Sequence, residues 1–313
     1  MSRIIKTACS ILLLVSGLPV VAGNTTKQEE NWQTPPGKLF DIGGYRLHML
    51  CQGEKGPAVI LDSGIGGFSL EWIPVQRLIS DKVKVCAYDR AGYGWSDVGP
   101  SPRNTEHEVE ELHRLLEVAG IPPPYILAGH SFGGYNVQYF AKIYPHETAG
   151  LVLVDSSHPQ QADRLPELPV RRERSESSEM VTYFYGQDTF QYYPEDIRYK
   201  LIRILSLGKN YNTNRRESIN FATSGNQVER AGPLPDIPLT VITRGKRVWP
   251  KNPYGDMLEY TWFEMQKELA GLTPGGKQII ATQSDHLIHL EQPDIVASAI
   301  MAEVDEVRQK NNK

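Results

Sequence analysis

The sequence lacks a strong charge of either sign, and this excludes some classes of function. Its 313 residues contain 33 basic and 37 acidic side chains, a formal net charge of −4. Proteins that bind nucleic acid usually carry a basic patch or stripe, and the sequence has no basic stripe interleaved with aromatic residues. Hydrophobic residues make up 40% and charged residues 22%, which is ordinary for a globular protein. Nucleic acid is therefore not expected as a partner.

Cysteine is scarce, with three residues in the chain. Cys9 lies within an apolar N-terminal stretch, and neither Cys51 nor Cys86 is next to a histidine in the sequence. Nothing marks these two as metal ligands or nucleophiles. Because cysteine is among the most buried residue types, we expect Cys51 and Cys86 to be buried apolar side chains. A disulfide between them is the alternative, which export of the protein would allow.

Long apolar runs are also missing, apart from a short one at the N-terminus. Two basic residues precede an almost uncharged stretch over residues 8–21, and small residues and then polar ones follow. This order predicts a secretory signal peptide over residues 1–23, with cleavage after Ala22 or Gly23. We therefore expect the protein to be exported, either to the periplasm or out of the cell.

The same stretch is a poor membrane span. Polar and helix-breaking residues such as Ser10, Gly17 and Pro19 interrupt it, whereas a transmembrane helix needs about 20 predominantly apolar residues. An uncleaved N-terminal anchor is the alternative. Residues 24–37 are polar and include Pro-Pro-Gly, which predicts a flexible leader after the signal.

Short apolar runs alternate with segments of helical periodicity along most of the chain. Residues 105–119, for example, place Val109, Leu112 and Leu116 on one face, as in an amphipathic helix. This alternation predicts an α/β fold with helices on both faces of a mainly parallel sheet. The predicted strands are residues 38–42, 45–51, 58–61, 83–88, 125–128, 151–154, 239–243 and 278–281.

One connection breaks this alternation. Residues 156–235 separate two predicted strands, and so long a connection is rarely structureless in a compact domain. We interpret it as a helical cap inserted between two parts of one core domain, residues 38–155 and 236–313. Tyr185 and Tyr193 belong to aromatic patches of the cap and are candidate substrate-binding residues, since ligand pockets are largely apolar and aromatic. The alternative is that these rings attach the cap to the sheet.

The clearest chemical motif is Gly-His-Ser-Phe-Gly at residues 129–133, which fits the G-x-S-x-G pattern of a nucleophile elbow. A nucleophile on a strained turn between strand and helix needs glycines on both sides, because larger side chains would clash there. The motif directly follows the predicted strand at 125–128 and precedes a predicted helix over 132–144. This context predicts that Ser131 is a nucleophile.

Attack by a serine on a carbonyl group builds negative charge on the carbonyl oxygen, which backbone N–H groups must stabilise in an oxyanion hole. One N–H is expected from Phe132, the residue after the nucleophile. The other is expected from Ile65, in a glycine-rich turn over residues 63–67 that follows an earlier strand. The alternative is that the turn is rich in glycine only because it bends sharply.

The nucleophile also needs a base. His286 follows the last predicted strand, and binding sites in open α/β sheets lie at the carboxyl ends of the strands. His289 comes one helical turn later and is the alternative, although its position is more typical of a packing residue. We predict that His286 is the base.

Together with the elbow, the sequence Tyr-Asp-Arg-Ala-Gly-Tyr-Gly-Trp-Ser at residues 88–96 and the order nucleophile, acid, histidine resemble the α/β-hydrolase superfamily. The resemblance covers roughly residues 38–305 and is weak inside the cap. It implies an eight-stranded, mostly parallel sheet with the catalytic groups at its C-terminal edge, and a structural role for the pair Asp89 and Arg90. Many relatives have His-Gly where this chain has Ser-Gly at the start of the oxyanion turn.

An acid must hold His286 in the right tautomer and stabilise its imidazolium form. Many relatives carry this acid a few residues after the seventh strand, but here that stretch is basic and has no carboxylate until Asp256. Asp155 ends the strand that follows the elbow, a placement that resembles the subgroups of the superfamily with their acid after the sixth strand. We predict that Asp155 is the acid. The alternative is that Asp155 caps a turn, while Asp256 or Glu259 serves as the acid.

These residues predict a serine hydrolase that cleaves carboxylic esters of small, partly apolar molecules through an acyl-enzyme, without a cofactor or metal. The serine at the elbow argues against the epoxide hydrolases and dehalogenases of this fold, which the resemblance associates with aspartate there. Two alternatives remain. The triad alone does not choose the bond, so a peptidase or carbon–carbon bond hydrolase is one, and a non-catalytic receptor on the same fold is the other.

Overall fold

The computed structural model describes residues 32–165 and 189–311, so the predicted signal peptide and Tyr185 lie outside the described residues. The strands are β1 (Lys38–Asp41), β2 (Arg46–Gln52), β3 (Val59–Asp62), β4 (Val85–Tyr88), β5 (Tyr125–His130), β6 (Thr148–Val154), β7 (Leu239–Arg244) and β8 (Lys277–Ala281). They form one eight-stranded sheet in the order β1-β2-β4-β3-β5-β6-β7-β8. The pairs β1–β2 and β2–β4 are antiparallel, and the other neighbouring strands are parallel. The predicted mostly parallel α/β sheet is confirmed.

The interior strands of the sheet are covered on both faces. Every residue of β3, β4, β5 and β7 is buried, as expected for parallel strands between two layers of helices. The edge strands β1 and β8 keep exposed residues. Because β3 and β5 to β8 are parallel neighbours, their carboxyl ends lie side by side, and the residues that follow them meet at one edge.

Two apolar clusters attach helices to the two faces of the sheet. The helices are α1 (Ile73–Ile79), α2 (Thr105–Val118), α3 (Gly133–Ile143), α4 (Gln161–Arg164), α5 (Glu195–Leu205), α6 (Gly208–Ile219), α7 (Phe221–Arg230), α8 (Pro253–Ala270), α9 (Ile288–Glu291) and α10 (Pro293–Asn311). Helices α1 and α10 pack on one face, for example through Val75 and Ile300. Helices α2 and α3 pack on the other, through Leu112 and Phe140. Across residues 32–165 and 189–311, no helix has both the length and the apolar character needed to cross a membrane.

The long connection between β6 and β7 is helical in its described parts, where it forms α4 to α7. This agrees with the expected helical insertion, while the bounds of the cap stay a prediction. Helix α7 packs against α2 and α3. Ile197 and Leu201 of α5 are buried together with Phe68 and Leu290 of the core. The insertion therefore lies against the edge of the sheet at which the parallel strands end.

The expectation that Cys51 and Cys86 are buried, unpaired side chains is wrong, because the structure joins them in a disulfide and Cys51 is exposed, while Cys86 is buried. The two residues lie directly opposite each other on the antiparallel strands β2 and β4, with their Cα atoms 4.0 Å apart. Their pairing depends on the register between two strands that are not consecutive in the chain. Residue spacing alone does not reveal that register.

Breaking this disulfide is expected to destabilise the protein. The cysteines are 35 residues apart, and closing a loop of that length in the unfolded chain corresponds to a stabilisation of about 3–4 kcal/mol. Urea unfolding of the oxidised protein, with and without a reductant, measures the loss. The variant C51A/C86A should show a similar loss and no further response to reductant. Equal stability of the wild-type protein in both conditions would contradict the prediction.

Candidate active site

Ser131 lies at the sharp turn between β5 and α3. Its backbone has a φ of 51°, in the left-handed region that is strained for a residue with a side chain. A Cβ atom on Gly129 would overlap the carbonyl group of Gly133, and one on Gly133 would overlap the carbonyl group of Asp62. The two glycines of the motif therefore allow the strand, the turn and the helix to approach each other as closely as they do.

Hydrogen bonds fix this elbow relative to β6. The Ser131 N–H donates to the Val154 carbonyl oxygen over 3.2 Å, and the Ser131 carbonyl oxygen accepts from the Ser157 N–H over 2.9 Å. Ser131 is partly exposed, whereas Phe132 is buried. The predicted nucleophile thus reaches solvent at the carboxyl edge of the sheet, and it is bonded to residues on both sides of Asp155.

The glycine-rich turn over residues 63–67 lies against the elbow. The Gly67 N–H donates to the Gly64 carbonyl oxygen over 3.1 Å, which closes the turn. A Cβ atom on Gly64 would be 3.1 Å from the Cβ atom of Ser131, so the missing side chain lets the turn come close to the predicted nucleophile. Ile65, the next residue, is partly exposed.

Arg90 holds this turn from its buried side. Its Nη1 atom donates to the Ser63 carbonyl oxygen over 2.5 Å and its Nη2 atom to the Gly64 carbonyl oxygen over 2.9 Å. In a planar trans peptide the N–H points away from the preceding carbonyl oxygen. The Ile65 N–H is therefore directed away from Arg90, because the Gly64 carbonyl oxygen is directed towards it. The neighbouring Asp89 is also buried.

His286 and Asp155 are in direct contact. The His286 Nδ1 and Asp155 Oδ2 atoms are 2.7 Å apart, and Asp155 is fully buried, with a φ of 39°. Asp155 Oδ1 accepts from the Trp262 indole N–H over 2.9 Å and from the Arg244 backbone N–H over 3.1 Å. Arg244 Nη1 donates to Asp155 Oδ2 over 3.0 Å. Four donors therefore surround this carboxylate.

These contacts keep Asp155 ionised. Burial is the largest influence and by itself raises the pKa of a carboxyl group, but the hydrogen bond from His286 and the charge of Arg244 outweigh it and lower the Asp155 pKa below its ordinary value. An ionised carboxylate accepts and does not donate. The hydrogen of the His286–Asp155 bond therefore belongs to His286 Nδ1, which leaves Nε2 of the neutral ring as an acceptor.

The two alternative acids are held elsewhere. Asp256 is 63% exposed at its side chain and pairs with Arg247 over 2.5 Å. Glu259 Oε1 accepts from the Val248 and Trp249 backbone N–H groups over 2.7 and 2.8 Å. Of the three carboxylates considered from the sequence, Asp155 is the one in contact with His286.

Arg244 is a site residue that the sequence did not reveal. It ends β7, and because β6 and β7 are parallel neighbours, it lies beside Asp155, where it bonds to the carboxylate. Its guanidinium carbon lies 4.6 Å from the ring centre of Trp249 and 4.7 Å from that of Trp262. Two aromatic faces and the pair with Glu259 thus fix the arginine next to the acid. The one available signal in the sequence was the basic stretch that begins at Arg244, after the seventh strand, where many members of the superfamily carry the acid.

His130 connects the elbow to the loop of His286. Its Nε2 atom lies 2.9 Å from the His286 carbonyl oxygen and must be the donor, since the carbonyl can only accept. Burial, followed by the nearby His289 and His286, lowers the pKa of His130 well below its ordinary value. His130 is therefore a neutral residue that holds the His286 loop against the elbow.

One group of described side chains has the composition of a metal site. Glu71, His130 and His289 are buried, and their candidate ligand atoms lie within 4.8 Å of one another, with His289 Nε2 and Glu71 Oε2 3.7 Å apart. Zinc with bonds of about 2.0–2.1 Å holds its ligand atoms about 3.3 Å apart. The group is wider than a closed tetrahedral zinc site. Its two imidazole rings pack against each other, with Trp72 beside His289.

Tyr193 lies deep between the cap and the core. It is 1% exposed and belongs to the buried cluster that also contains Phe68, Tyr93 and Leu290. This is the environment of a residue that attaches the cap to the sheet, the alternative considered from the sequence. A contact between Tyr193 and substrate stays a prediction, and Tyr185 lies outside the described residues.

Comparison with protein families assigns the fold. The model of the alpha/beta hydrolase family matches residues 59–299, a range that includes the elbow, Asp155 and His286. The chain belongs to the alpha/beta hydrolase family. Membership supports a hydrolase and does not by itself name the bond that is cleaved.

Curated relatives in this family match the chain over different lengths. The uncharacterized protein YqjL of Bacillus subtilis is 26% identical over 265 residues, which is 84% of this chain and 90% of YqjL. The probable transporter efuK of Hormonema carpetanum is 32% identical over 145 residues, 43% of this chain and 21% of efuK. The chain therefore spans about a fifth of the efuK protein and most of YqjL.

Solved structures with the same fold superpose on most of the chain. An esterase from Thermogutta terrifontis aligns with a TM-score of 0.62 and 22% identity, over 84% of this chain and 94% of the esterase. The enol-lactonase from Burkholderia xenovorans LB400 aligns with a TM-score of 0.62 and 18% identity, over 86% of this chain and all of the lactonase. At these identities the likeness shows the fold alone.

Proposed function

We propose that this protein is a serine hydrolase that cleaves carboxylic esters, with Ser131 as nucleophile, His286 as base and Asp155 as acid. The observation that carries the proposal is the 2.7 Å contact between Asp155 and His286, at the sheet edge where Ser131 occupies a strained elbow. An ionised, buried acid that orients a histidine, at the sheet edge that also carries a partly exposed serine, is the arrangement expected where a histidine activates a serine hydroxyl.

The first half-reaction forms an acyl-enzyme. The Ser131 Oγ atom attacks the ester carbonyl carbon while His286 Nε2 takes its proton, and the carbonyl electron pair moves to the oxygen. The backbone N–H groups of Phe132 and Ile65 stabilise that oxyanion. Collapse of the intermediate expels the alcohol, which leaves with the proton from His286. Asp155 stabilises the imidazolium while it carries that proton.

The second half-reaction releases the acid. A water molecule attacks the acyl carbon, and His286 takes a proton from it as it did from Ser131. The second oxyanion collapses, the bond to Ser131 Oγ breaks, and the proton on His286 returns to the serine. All charges that develop are balanced by groups of this chain, so the proposed cycle needs no cofactor.

The proposed substrates are small esters with an apolar part. The names of two proteins with the same fold, an esterase and an enol-lactonase, support an acyl-transfer reaction. The aromatic composition of the cap sequence supports an apolar substrate group, although Tyr193 itself packs between the cap and the core. The disulfide between Cys51 and Cys86 supports the proposal that the protein is exported to an oxidising compartment.

The test is a burst experiment with p-nitrophenyl butyrate. Rapid mixing should release close to one equivalent of p-nitrophenol per active site if deacylation is slower than acylation, and mass spectrometry of quenched protein should find a butyryl group on the peptide that contains Ser131. The matched control is S131A, which should give neither signal. A wild-type protein that binds the ester without releasing phenol would instead indicate the receptor alternative.

A further inference from the structure

Two side chains of the loop after β4 hold the backbone of the oxyanion turn at three points. The guanidinium of Arg90 donates to the carbonyl oxygens of Ser63 and Gly64. At the other end of the turn, the Tyr93 hydroxyl accepts from the Gly66 N–H over 3.1 Å. The Ile65 N–H lies between these points, so its direction depends on the positions of the Arg90 and Tyr93 side chains.

Both of these side chains are tied to one carboxylate of the cap. Glu217 Oε1 is 3.0 Å from Arg90 Nε, and Glu217 Oε2 is 3.0 Å from Arg90 Nη2. The Tyr93 hydroxyl donates to the same Oε2 atom over 2.8 Å. Glu217 lies on α6 and is fully buried, as is Tyr93, and Arg90 is 2% exposed.

The geometry of this pair sets the orientation of the guanidinium. Two parallel N–H···O bonds to one carboxylate fix the plane of an arginine head group. With Nε and one hydrogen of Nη2 bonded to Glu217, the second hydrogen of Nη2 meets the Gly64 carbonyl oxygen, and Nη1 meets the Ser63 carbonyl oxygen. A rotation of the head group would break the bonds to the turn along with those to Glu217.

Glu217 is one of three buried acidic side chains next to Arg90, and its charge acts on Arg90 more strongly than the other two. Arg90 Nη1 is 2.7 Å from Asp62 Oδ1, and Arg90 Nε is 3.1 Å from Glu108 Oε2. A buried ion pair is weak evidence for stability, because desolvation offsets much of the attraction. The two hydrogen bonds from Arg90 to Glu217, by contrast, fix the orientation of the Arg90 guanidinium.

The helix that carries Glu217 also packs directly on both loops. A Cβ atom on Gly92 would overlap the Thr213 side chain, and one on Gly66 would lie 2.9 Å from Asn214 Nδ2. Both glycines have positive φ values, 94° and 85°. Gly92 therefore allows α6 to come this close, and the positive φ values favour glycine at both positions.

We infer that Glu217 is a positioning residue through which the cap holds the oxyanion turn in its reactive geometry, acting on Ile65 by way of Arg90 and Tyr93. The inference rests on the proposed serine-hydrolase function. The cap thereby contributes to transition-state stabilisation as well as covering the site. Removal of this contact should lower the rate of the chemical step and leave ester binding nearly unchanged, because the N–H acts on the oxyanion and not on the ground state.

The experiment compares E217Q with the wild-type protein on p-nitrophenyl butyrate. Glutamine keeps the size of the side chain and removes the charged bidentate pair. Loss of a whole oxyanion donor lowers kcat by about 10²–10³-fold, so a loosened donor should lower kcat by about 10–100-fold, with KM changed less than about threefold. The second readout is inhibition by an alkyl trifluoromethyl ketone. Ser131 Oγ attacks its carbonyl carbon, and the carbonyl oxygen of the resulting adduct is an oxyanion that occupies the hole. The inhibition constant of the ketone should rise by the same factor as kcat falls.

The matched control is K209M, on the same helix. Lys209 Nζ donates to the Ser96 carbonyl oxygen over 2.7 Å and so joins the cap to the core without touching the turn. We expect K209M to keep kcat and the inhibition constant within about twofold of wild type. An equal loss in K209M and E217Q would assign the effect to general docking of the cap and overturn the inference.

The remaining outcomes separate the inference from the function on which it rests. Wild-type kcat and ketone inhibition in E217Q would overturn the inference alone. A wild-type protein with neither ester turnover nor ketone inhibition would overturn the proposed function and the inference with it. If E217Q does not fold, Y93F takes its place, since it removes the hydroxyl between Glu217 and Gly66 while the Arg90 pair stays. It should lose kcat at unchanged KM, and an unchanged kcat would overturn the inference.

Discussion

Replacement of Ser131 with alanine is expected to lower kcat for ester hydrolysis by about 10⁶-fold, and replacement of His286 with alanine by a similar factor. Without the hydroxyl no acyl-enzyme forms. Without the imidazole the hydroxyl is not deprotonated at neutral pH, since its proton has no acceptor of suitable pKa. Both residues lie at the surface of the site, with Ser131 partly exposed and the His286 side chain 37% exposed, so folding should be preserved.

The sharper prediction is that the free-energy losses from the two substitutions are not additive. Serine and histidine act as one unit, so S131A/H286A should be no slower than either single variant. The residual rate then comes from the oxyanion hole and substrate binding. Initial rates at enzyme concentrations high enough to measure slow turnover test this, with circular dichroism as the check on folding. Losses that multiply in the double variant would show that the two residues act in separate steps.

His289 provides the matched control. It lies three residues after His286, is fully buried, and packs against Trp72 and near Glu71. H289Q is expected to keep kcat within about tenfold of wild type, because the histidine that contacts Asp155 is His286, whereas the His289 ring packs on Trp72 and His130. If H289Q lost about 10⁶-fold while H286A remained active, the base would be His289.

Most of the fold could be predicted because its signals are local. Each buried parallel strand is a short apolar run, and the run at residues 151–154 identifies the carboxyl half of β6 (Thr148–Val154) correctly. The structure extends β5 to His130, past the predicted end at residue 128. The reason is that the first two residues of the elbow motif still belong to the strand.

The parts that could not be predicted depend on residues distant in the sequence. Cys51 and Cys86 form a disulfide because β2 pairs with β4, which lies beyond β3 in the chain. Glu217 meets Arg90 across 127 residues, and its helix gave no sign of a buried carboxylate. The apolar periodicity of a segment indicates which face of a helix is buried. It does not indicate which charged side chain of another segment will contact that face.

Asp155 is predicted as the acid from its position at the end of a strand and from the absence of a carboxylate soon after β7, and the structure places a positive charge next to it from that neighbouring strand. Arg244, at the end of β7, donates to the carboxylate of Asp155 with its backbone N–H and its Nη1 atom. A second acid beside Asp155 would repel it. A positive residue there instead lowers the pKa of Asp155. Arg244 and Asp155 are therefore parts of one arrangement, whereas Lys246 and Arg247 pair with Glu291 and Asp256.

Replacement of Asp155 with asparagine is expected to lower kcat by about 10⁴-fold. The carboxylate accepts from four donors, the His286 ring, the Trp262 indole, and the backbone and side chain of Arg244. An amide has one oxygen to accept and an NH₂ group that must donate. When that group faces His286, it selects the tautomer with hydrogen on Nε2, which cannot take the proton of Ser131.

The comparison that tests this is D256N, which makes the same chemical change at an exposed acid that pairs with Arg247. D256N should stay within about threefold of wild type, because exposed ion pairs contribute little. Steady-state rates over a pH series, together with thermal unfolding of each variant, separate a catalytic loss from a folding defect. D155N should lose activity at every pH at which the wild type is active, because the defect lies in the tautomer and not in a shifted titration. If D256N lost orders of magnitude while D155N stayed near wild type, the assignment of the acid to Asp155 would be wrong.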